Sequence, residues 1–207
     1  MSKYLVLIFK IFRRASKTIP LLFYSPINKL NLFLNGASIG KNINTKGFLR
    51  VIVTRRGCLK IGHDVSINSG QNHNIIGRNQ KTTFWVEGNL SIGHNTGMSS
   101  TAIICNHHIE IGNYVKIGGN TVIYDTDFHS LNPETRKDPN LDKSNAKKGK
   151  VIIRDNAFIG SHSTILKGVT IGENAVIGAC SLVSKNIPAN EIWAGNPVKF
   201  IKKIDEV

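Results

Sequence analysis

Acidic residues are scarce in this sequence. Its 207 residues include 13 Asp and Glu against 27 Lys and Arg, which leaves a formal net charge of +14. Such a charge favours an acidic partner: nucleic acid, an anionic membrane or a phosphate-bearing small molecule. A nucleic-acid binder would interleave its basic residues with exposed aromatic residues. Here the basic residues concentrate in an N-terminal segment, one loop and the C-terminal end, so we expect no nucleic-acid partner.

Cysteine is also rare, and the three cysteines lie far apart. Cys58, Cys105 and Cys180 show neither a CxxC pattern nor a Cys/His ligand spacing, which predicts a reducing compartment and no metal site. The histidine pair in "CNHHIEIG" lacks carboxylate partners at a suitable spacing for zinc. We interpret Cys180 as structural, because a reactive thiol requires an electropositive partner.

Long apolar runs are missing as well. The run from Tyr4 to Phe9 is interrupted by Lys10 and is far shorter than the roughly 18 residues of a membrane span. No small-residue cleavage site follows, so we expect no secretory signal. Residues 1–33 are predicted to form a basic, apolar helical arm. Two interpretations stay open: the arm lies on an anionic membrane, or it packs against its own protein or a sister subunit.

A period of six organises the rest of the chain. In "IRDNAF IGSHST ILKGVT IGENAV IGACSL VSKNIP" an apolar residue leads each block: Ile153, Ile159, Ile165, Ile171, Ile177 and Val183. This spacing fits neither an amphipathic helix nor a simple alternating strand. It is typical of a coil with flat sides, in which each hexad forms a short strand and a turn and three hexads close a triangular rung. The leading residues then stack inside as a continuous core.

This pattern resembles the hexapeptide-repeat acyltransferase family, and in particular bacterial sugar O-acetyltransferases of the surface-polysaccharide and maltose type. The resemblance implies an all-β fold, a left-handed parallel β-helix. It covers residues 34–204, with the helical arm before it, a loop at 129–150 inserted in it and a short C-terminal helix from Val198 to Ile204. The register of residues 46–89 stays open.

The long polar stretch "DTDFHSLNPETRKDPNLDKSNAKKGK" interrupts the repeat without an evident secondary structure of its own. A loop of this length is usually functional or disordered. The resemblance implies that His129, at its start, is the general base that deprotonates a sugar hydroxyl. Asp127 is preferred over Asp125 as the carboxylate that orients the imidazole, because strand alternation places it on the same side as His129.

The segment after the loop closely resembles the part of these enzymes that binds acetyl-CoA, which implies acetyl-CoA as co-substrate. Small residues would admit the pantetheine arm and lysines would meet the phosphates. The positions carried over are Ser161, Ala179, Ser184, Lys185, Lys199 and Lys202.

The resemblance therefore predicts a cytoplasmic homotrimer that transfers acetyl groups from acetyl-CoA to a carbohydrate hydroxyl in capsule, O-antigen or exopolysaccharide synthesis. Peripheral contact with the inner membrane face is a further expectation for the arm. Two other functions stay open: N-acetylation of an antibiotic or amino sugar, and a non-catalytic scaffold that binds polyanions.

Overall fold

The repeat forms a three-sided parallel coil. The computed structural model describes residues 3–18 and 21–204. Residues 1, 2, 19 and 20, which the predicted arm includes, and residues 205–207 lie outside the described residues. Successive hexads pass from face 1 to face 2 to face 3, so each strand pairs with the strand one turn later on its own face.

The strands are distributed over the faces as follows. Face 1 contains β1 (Ser38–Ile39), β4 (Cys58–Ile61), β7 (Asn89–Ile92), β10 (His108–Ile111), β13 (Val151–Ile153) and β16 (Thr170–Ile171). Face 2 contains β2 (Asn44–Lys46), β5 (Ser66–Asn68), β8 (Gly97–Ser99), β11 (Lys116–Ile117), β14 (Phe158–Ile159), β17 (Val176–Ile177), β19 (Glu191–Ala194) and β20 (Lys199–Lys203). Face 3 contains β3 (Arg50–Val53), β6 (Thr83–Val86), β9 (Ala102–Cys105), β12 (Val122–Tyr124), β15 (Thr164–Ile165) and β18 (Leu182–Val183).

The core is the column of leading residues that the hexads predict. All six leaders from Ile153 to Val183 are fully buried, and each such burial contributes about 1.5–3 kcal/mol. Successive leaders on a face are direct strand partners, as Ile111 and Ile153 are on face 1. The blurred segment 46–89 keeps this order, because β2 pairs with β5 and β3 with β6 in unbroken register.

Two edges of the coil carry the candidate functional residues. The loop edge, where the chain passes from face 3 to face 1, comprises residues 54–57, 87–88, 106–107, 125–150, 166–168 and 184–186. The Ser161 edge, where it passes from face 2 to face 3, comprises residues 47–49, 69–82, 100–101, 118–121, 160–163 and 178–181. On the Ser161 edge a Cβ at Gly160 would collide with the backbone of Ala179 on the next coil. His162 and Cys180 occupy left-handed corner positions there, with φ of 62° and 57°.

The N-terminal arm consists of two helices, α1 (Lys3–Thr18) and α2 (Leu21–Leu34). Asn28 fixes α2 to the coil, since its Nδ2 donates to Thr45 Oγ1 at 3.0 Å and to the Gly47 carbonyl at 2.8 Å. Leu32 of the same helix is fully buried. No helix among the described residues has the length and hydrophobicity of a membrane span.

The inserted loop has more structure than its composition predicts. It contains two short helices, α3 (Pro133–Arg136) and α4 (Pro139–Asn145). Asn132 and Asp138 cap them by accepting hydrogen bonds from backbone N–H groups of the first turn. Each cap precedes a proline, whose fixed φ and missing N–H suit the first helical position.

The predicted C-terminal helix from Val198 to Ile204 is wrong. Residues 199–203 form β20, which runs antiparallel to β19 and pairs Ala194 with Lys199. The last coil leaves one edge of β19 without a parallel partner, and a returning strand supplies the missing hydrogen bonds. The ring of Phe200 packs edge-on against that of Trp193, with centroids 5.9 Å apart.

Candidate active site at the loop edge

His129 stands at the point where the loop leaves the coil. β12 ends at Tyr124, and Phe128 takes a left-handed conformation with φ of 64°. This turn directs the chain away from face 3. The side chain of His129 is 70% exposed, so its ring is open to a ligand that approaches the loop edge.

Asp142 of α4 holds this ring. Its Oδ2 lies 2.7 Å from His129 Nδ1, and its Oδ1 accepts a hydrogen bond from the Ser130 amide at 2.6 Å. The contact with His129 lowers the pKa of the Asp142 carboxyl below its ordinary value, and the hydrogen bond from Ser130 lowers it further. An ionised carboxylate only accepts hydrogen bonds, so the imidazole donates from Nδ1 and keeps the Nε2 lone pair for another proton.

Asp127, the residue predicted to orient His129, is engaged elsewhere. Its Oδ1 pairs with Lys167 Nζ at 2.9 Å on the next coil. Its Oδ2 is buried without a hydrogen-bond partner among the described residues. The prediction assumed that the strand continues to His129, but the strand ends at Tyr124, and the alternation of sides ends with it.

Asp142 is the residue that the sequence reasoning missed. It lies 13 positions after His129, and it reaches the ring because α4 folds back over the loop mouth. The sequence carries a signal for this helix: Asp138 followed by Pro139 is a typical helix start.

Asp125, the other carboxylate considered, is a structural anchor. It is fully buried and accepts hydrogen bonds from the backbone amides of Asn106, His107 and His108 at 2.7–2.8 Å. Burial and, secondly, the charge of Asp125 raise the pKa of the Cys105 thiol to about 12. Asp125 thus fixes the preceding coil under the loop mouth, and Cys105 stays a protonated thiol.

The loop is closed at its base. Thr126 and Lys148 form an antiparallel bridge, and the Asp127 amide donates to the Lys147 carbonyl at 2.9 Å. The two ends of the insertion therefore lie side by side, which holds His129 and α4 over the same edge of the coil.

The six residues predicted to bind the donor do not come together within one chain. Ser161 and exposed Ala179 lie on consecutive coils of the Ser161 edge, where the Cys180 amide donates to the Ser161 carbonyl at 2.8 Å. Ser184 and Lys185 lie on the loop edge, and Lys185 Nζ is 6.0 Å from the centre of the Trp193 ring. Lys199 and Lys202 are exposed on β20.

The sequence itself has recognisable relatives. Residues 150–185 match the family described as bacterial transferase hexapeptide (six repeats). This stretch carries the bacterial transferase hexapeptide repeat. Over 119 residues it is 36% identical to the galactoside O-acetyltransferase of Escherichia coli strain K12, which covers 57% of this chain and 56% of that protein. The chain spans about half the length of the curated relatives it matches.

Solved structures extend the likeness to most of the chain. The N-acyltransferase AntD from Bacillus cereus, in complex with dTDP and 3-hydroxybutyryl-CoA, is similar with a TM-score of 0.65 and 26% identity. That match covers 84% of this chain and 87% of AntD. A maltose O-acetyltransferase from Clostridium difficile 630 has a TM-score of 0.56 and 25% identity, with 93% and 91% of the two chains covered. The predicted resemblance to hexapeptide-repeat acyltransferases and the left-handed parallel β-helix are thereby confirmed.

Proposed function

We propose that this protein is an O-acetyltransferase that moves an acetyl group from acetyl-CoA to a sugar hydroxyl. The observation that carries the proposal is the exposed His129 ring held through Nδ1 by the Asp142 carboxylate. An imidazole fixed in this way presents Nε2 as a proton acceptor, which a weakly nucleophilic hydroxyl requires. The likeness to galactoside and maltose O-acetyltransferases supports the same reaction.

The proposed reaction proceeds without an acyl-enzyme. His129 Nε2 takes the proton of the acceptor hydroxyl as its oxygen attacks the thioester carbonyl carbon. The tetrahedral intermediate collapses with cleavage of the carbon–sulfur bond. The leaving thiolate of coenzyme A is then protonated by the imidazolium of His129. Asp142 stabilises the transient positive charge on His129 while its own carboxyl stays ionised.

We assign the donor to a groove shared between subunits. Ser161 and Ala179 offer small side chains on the Ser161 edge, and Lys199 and Lys202 offer exposed ammonium groups for phosphates on neighbouring face 2. His129 lies on a different edge of the same coil. A homotrimer brings the loop edge of one copy against the Ser161 edge of the next. Ser184 and Lys185, on the loop edge, then contact the donor from the other side of the groove.

Mixed subunits test this arrangement. His129→Ala and Ala179→Trp variants, each inactive alone, are unfolded together, refolded and assayed. If the sites are shared, some sites in the mixed trimers combine an intact base with an intact groove, and activity returns. Activity that stays absent in mixed trimers contradicts a shared site.

For the helical arm we propose contact with an anionic membrane at the cytoplasmic face. By helical spacing Leu5, Ile8, Phe9 and Phe12 share one face of α1, and these side chains are exposed. Exposed Lys3, Lys10, Arg13 and Arg14 lie towards the other side, and residues 1–33 contain no acidic residue. An amphipathic basic helix of this kind rests in the headgroup region, where acetylation of a lipid-linked precursor of a surface polysaccharide would occur.

Vesicle binding tests the arm. Each basic residue near an anionic surface contributes about 1 kcal/mol, so Arg13→Glu with Arg14→Glu should weaken binding to phosphatidylglycerol vesicles by about tenfold or more. Lys60→Glu, an exposed lysine on face 1, is the control. Equal binding by both variants removes the membrane proposal and favours packing of the arm against a sister subunit.

The first assay of the function follows acetyl-CoA consumption as released thiol. The acceptor panel includes neutral sugars, amino sugars and surface glycans, with the wild type beside His129→Ala. Turnover of hydroxyl acceptors that requires His129 supports the proposal. Turnover of amino sugars alone would favour N-acetylation, the reaction type suggested by the likeness to an N-acyltransferase. The absence of both turnover and acetyl-CoA binding would favour a non-catalytic scaffold.

A further inference from the structure

A cavity of about 520 Å³ opens on the loop edge, with Lys143 of α4 in its lining. Its walls come from different parts of the fold. Arg55 and Arg56 belong to the turn between β3 and β4, Asn106 follows β9, Lys143 belongs to α4, and Lys148 lies on the returning end of the loop. Lys143 directly follows Asp142, so the helix that orients His129 also contributes to this cavity.

Four cationic side chains and one acidic side chain line the cavity. Arg55, Arg56, Lys143 and Lys148 are exposed, and none of the four forms an ion pair within residues 3–18 and 21–204. Glu87 is the one acidic side chain in the lining, and it accepts a hydrogen bond from Trp85 Nε1 at 3.2 Å. Four like charges around one space repel each other, and an anion bound between them would relieve that repulsion.

Asn106 contributes a polar wall to the cavity. The side-chain oxygen Oδ1 of Asn106 is buried and has no hydrogen-bond partner in the described part of the chain. The Lys148 ammonium lies against the same residue and donates to the Asn106 carbonyl at 3.4 Å. A buried acceptor without a partner costs free energy unless a ligand or a water satisfies it.

We propose that this cavity binds the phosphate group of a phosphorylated sugar acceptor. The planar guanidinium groups of Arg55 and Arg56 suit the paired oxygens of a phosphate, and the two lysines add point charges. The volume lies within the range of small-molecule sites. The inference rests on the proposed acetyl transfer and specifies its acceptor: the sugar phosphate lies along the loop edge, with its hydroxyl towards His129.

Matched acceptors test the proposal. Galactose, galactose 1-phosphate and galacturonic acid are compared by kcat/KM for acetyl transfer, with inorganic phosphate as a competitor. Loss of a charge-assisted contact weakens binding by about tenfold or more, so Arg55→Gln with Arg56→Gln should lower kcat/KM for galactose 1-phosphate by that factor. The kcat/KM of this double variant for galactose should stay unchanged. Arg50→Gln, an exposed arginine at the start of β3, is the control.

The source of the phosphate is tested with two further acceptors. A nucleotide-linked sugar and a polyprenyl-linked sugar phosphate present the same group, and the one with the higher kcat/KM identifies the natural form. A higher kcat/KM for galacturonic acid than for galactose 1-phosphate would indicate a carboxylate-binding site and overturn the proposal.

The outcomes also separate this inference from the proposed function. Turnover of galactose and galactose 1-phosphate with equal kcat/KM, unaffected by the double variant, overturns the phosphate site and leaves the transferase intact. Absence of turnover with every acceptor overturns the transferase. Calorimetric binding of galactose 1-phosphate then still decides the cavity: binding that the double variant loses supports it, and absence of binding to the wild type overturns it.

Discussion

Asp142 and His129 are joined by a contact of 2.7 Å between Oδ2 and Nδ1, although 13 positions separate them in the sequence. The contact links a helix inside the loop to the residue at the loop mouth. It gives His129 both an orientation and a defined tautomer, and it makes the fold of the loop part of the proposed catalysis.

Replacement of His129 tests the base itself. A general base contributes about 10²–10⁴-fold to a rate, so kcat of His129→Ala should fall by about 100-fold or more, while KM for acetyl-CoA stays near the wild-type value. The measurement is steady-state thiol release. A fall of less than threefold contradicts the assignment. His63→Ala is the matched control, because His63 is exposed at the corner between β4 and β5, away from both the loop edge and the Ser161 edge.

Replacement of Asp142 tests positioning. Asp142→Asn keeps the shape but presents no negative charge to the imidazole, so kcat should fall by about tenfold or more with little change in acceptor KM. Asp142→Glu should recover part of the loss. Asp127→Asn provides the comparison, since that carboxylate pairs with Lys167 and not with His129. A larger loss of kcat in Asp127→Asn would restore the assignment made from sequence.

The lowered pKa of Asp142 predicts a dependence on pH. A carboxyl whose pKa is depressed in the folded state stabilises that state above its unfolded pKa, and this contribution disappears as the pH falls through the folded pKa. The hydrogen bonds that Asp142 accepts from Ser130 and His129 should therefore persist at neutral pH. They should be lost below 3.8, the ordinary pKa of an aspartate carboxyl. The Ser130 amide proton shift, followed by NMR, should titrate in that acidic window and lose this step in Asp142→Asn. A step at or above 3.8 contradicts the depressed pKa.

Asp125 is expected to matter for stability. An amide at this position accepts fewer of the three backbone hydrogen bonds and leaves buried donors without partners, at about 1–3 kcal/mol each. Asp125→Asn should therefore lower the free energy of unfolding in urea by about 3 kcal/mol. Asp155→Asn is the control at another corner, where the carboxylate accepts from Asn113 and is partly exposed. Equal losses would show that burial of Asp125 carries no special weight.

The three cysteines should differ in reactivity. Cys180 is exposed, whereas Cys105 is buried and its thiol has a pKa raised to about 12. Because the thiolate is the reactive form, N-ethylmaleimide at pH 8 should modify Cys180 in the native protein when no acetyl-CoA occupies the Ser161 edge, and it should reach Cys105 only after unfolding. Mass spectrometry of digests measures both sites. Modification of Cys105 as fast as Cys180 would contradict its burial.

The coil was predictable because its signal repeats. Each leader from Ile153 to Val183 occupies an equivalent position, so many weak preferences point to the same inward column. His129 could be picked out as well, since it stands where the period stops. Asp142 could not, because its contact depends on how two short helices fold within a single loop, and no period describes that. The C-terminal end failed for a related reason: whether residues 199–203 form a helix or a strand is decided by the open edge of β19, a partner distant from any local pattern.

The closed base of the insertion makes the loop a replaceable cassette. On either side of it the coil keeps its register, with Ile123 paired to Ile165 and Ile111 to Ile153. The bridge between Thr126 and Lys148 brings the two ends of the insertion together. Relatives could therefore exchange this segment, and with it the choice of acceptor, while the scaffold and its stability are inherited unchanged. A chimera that joins a foreign loop at Thr126 and Lys148 is the natural way to engineer a transferase for a new sugar.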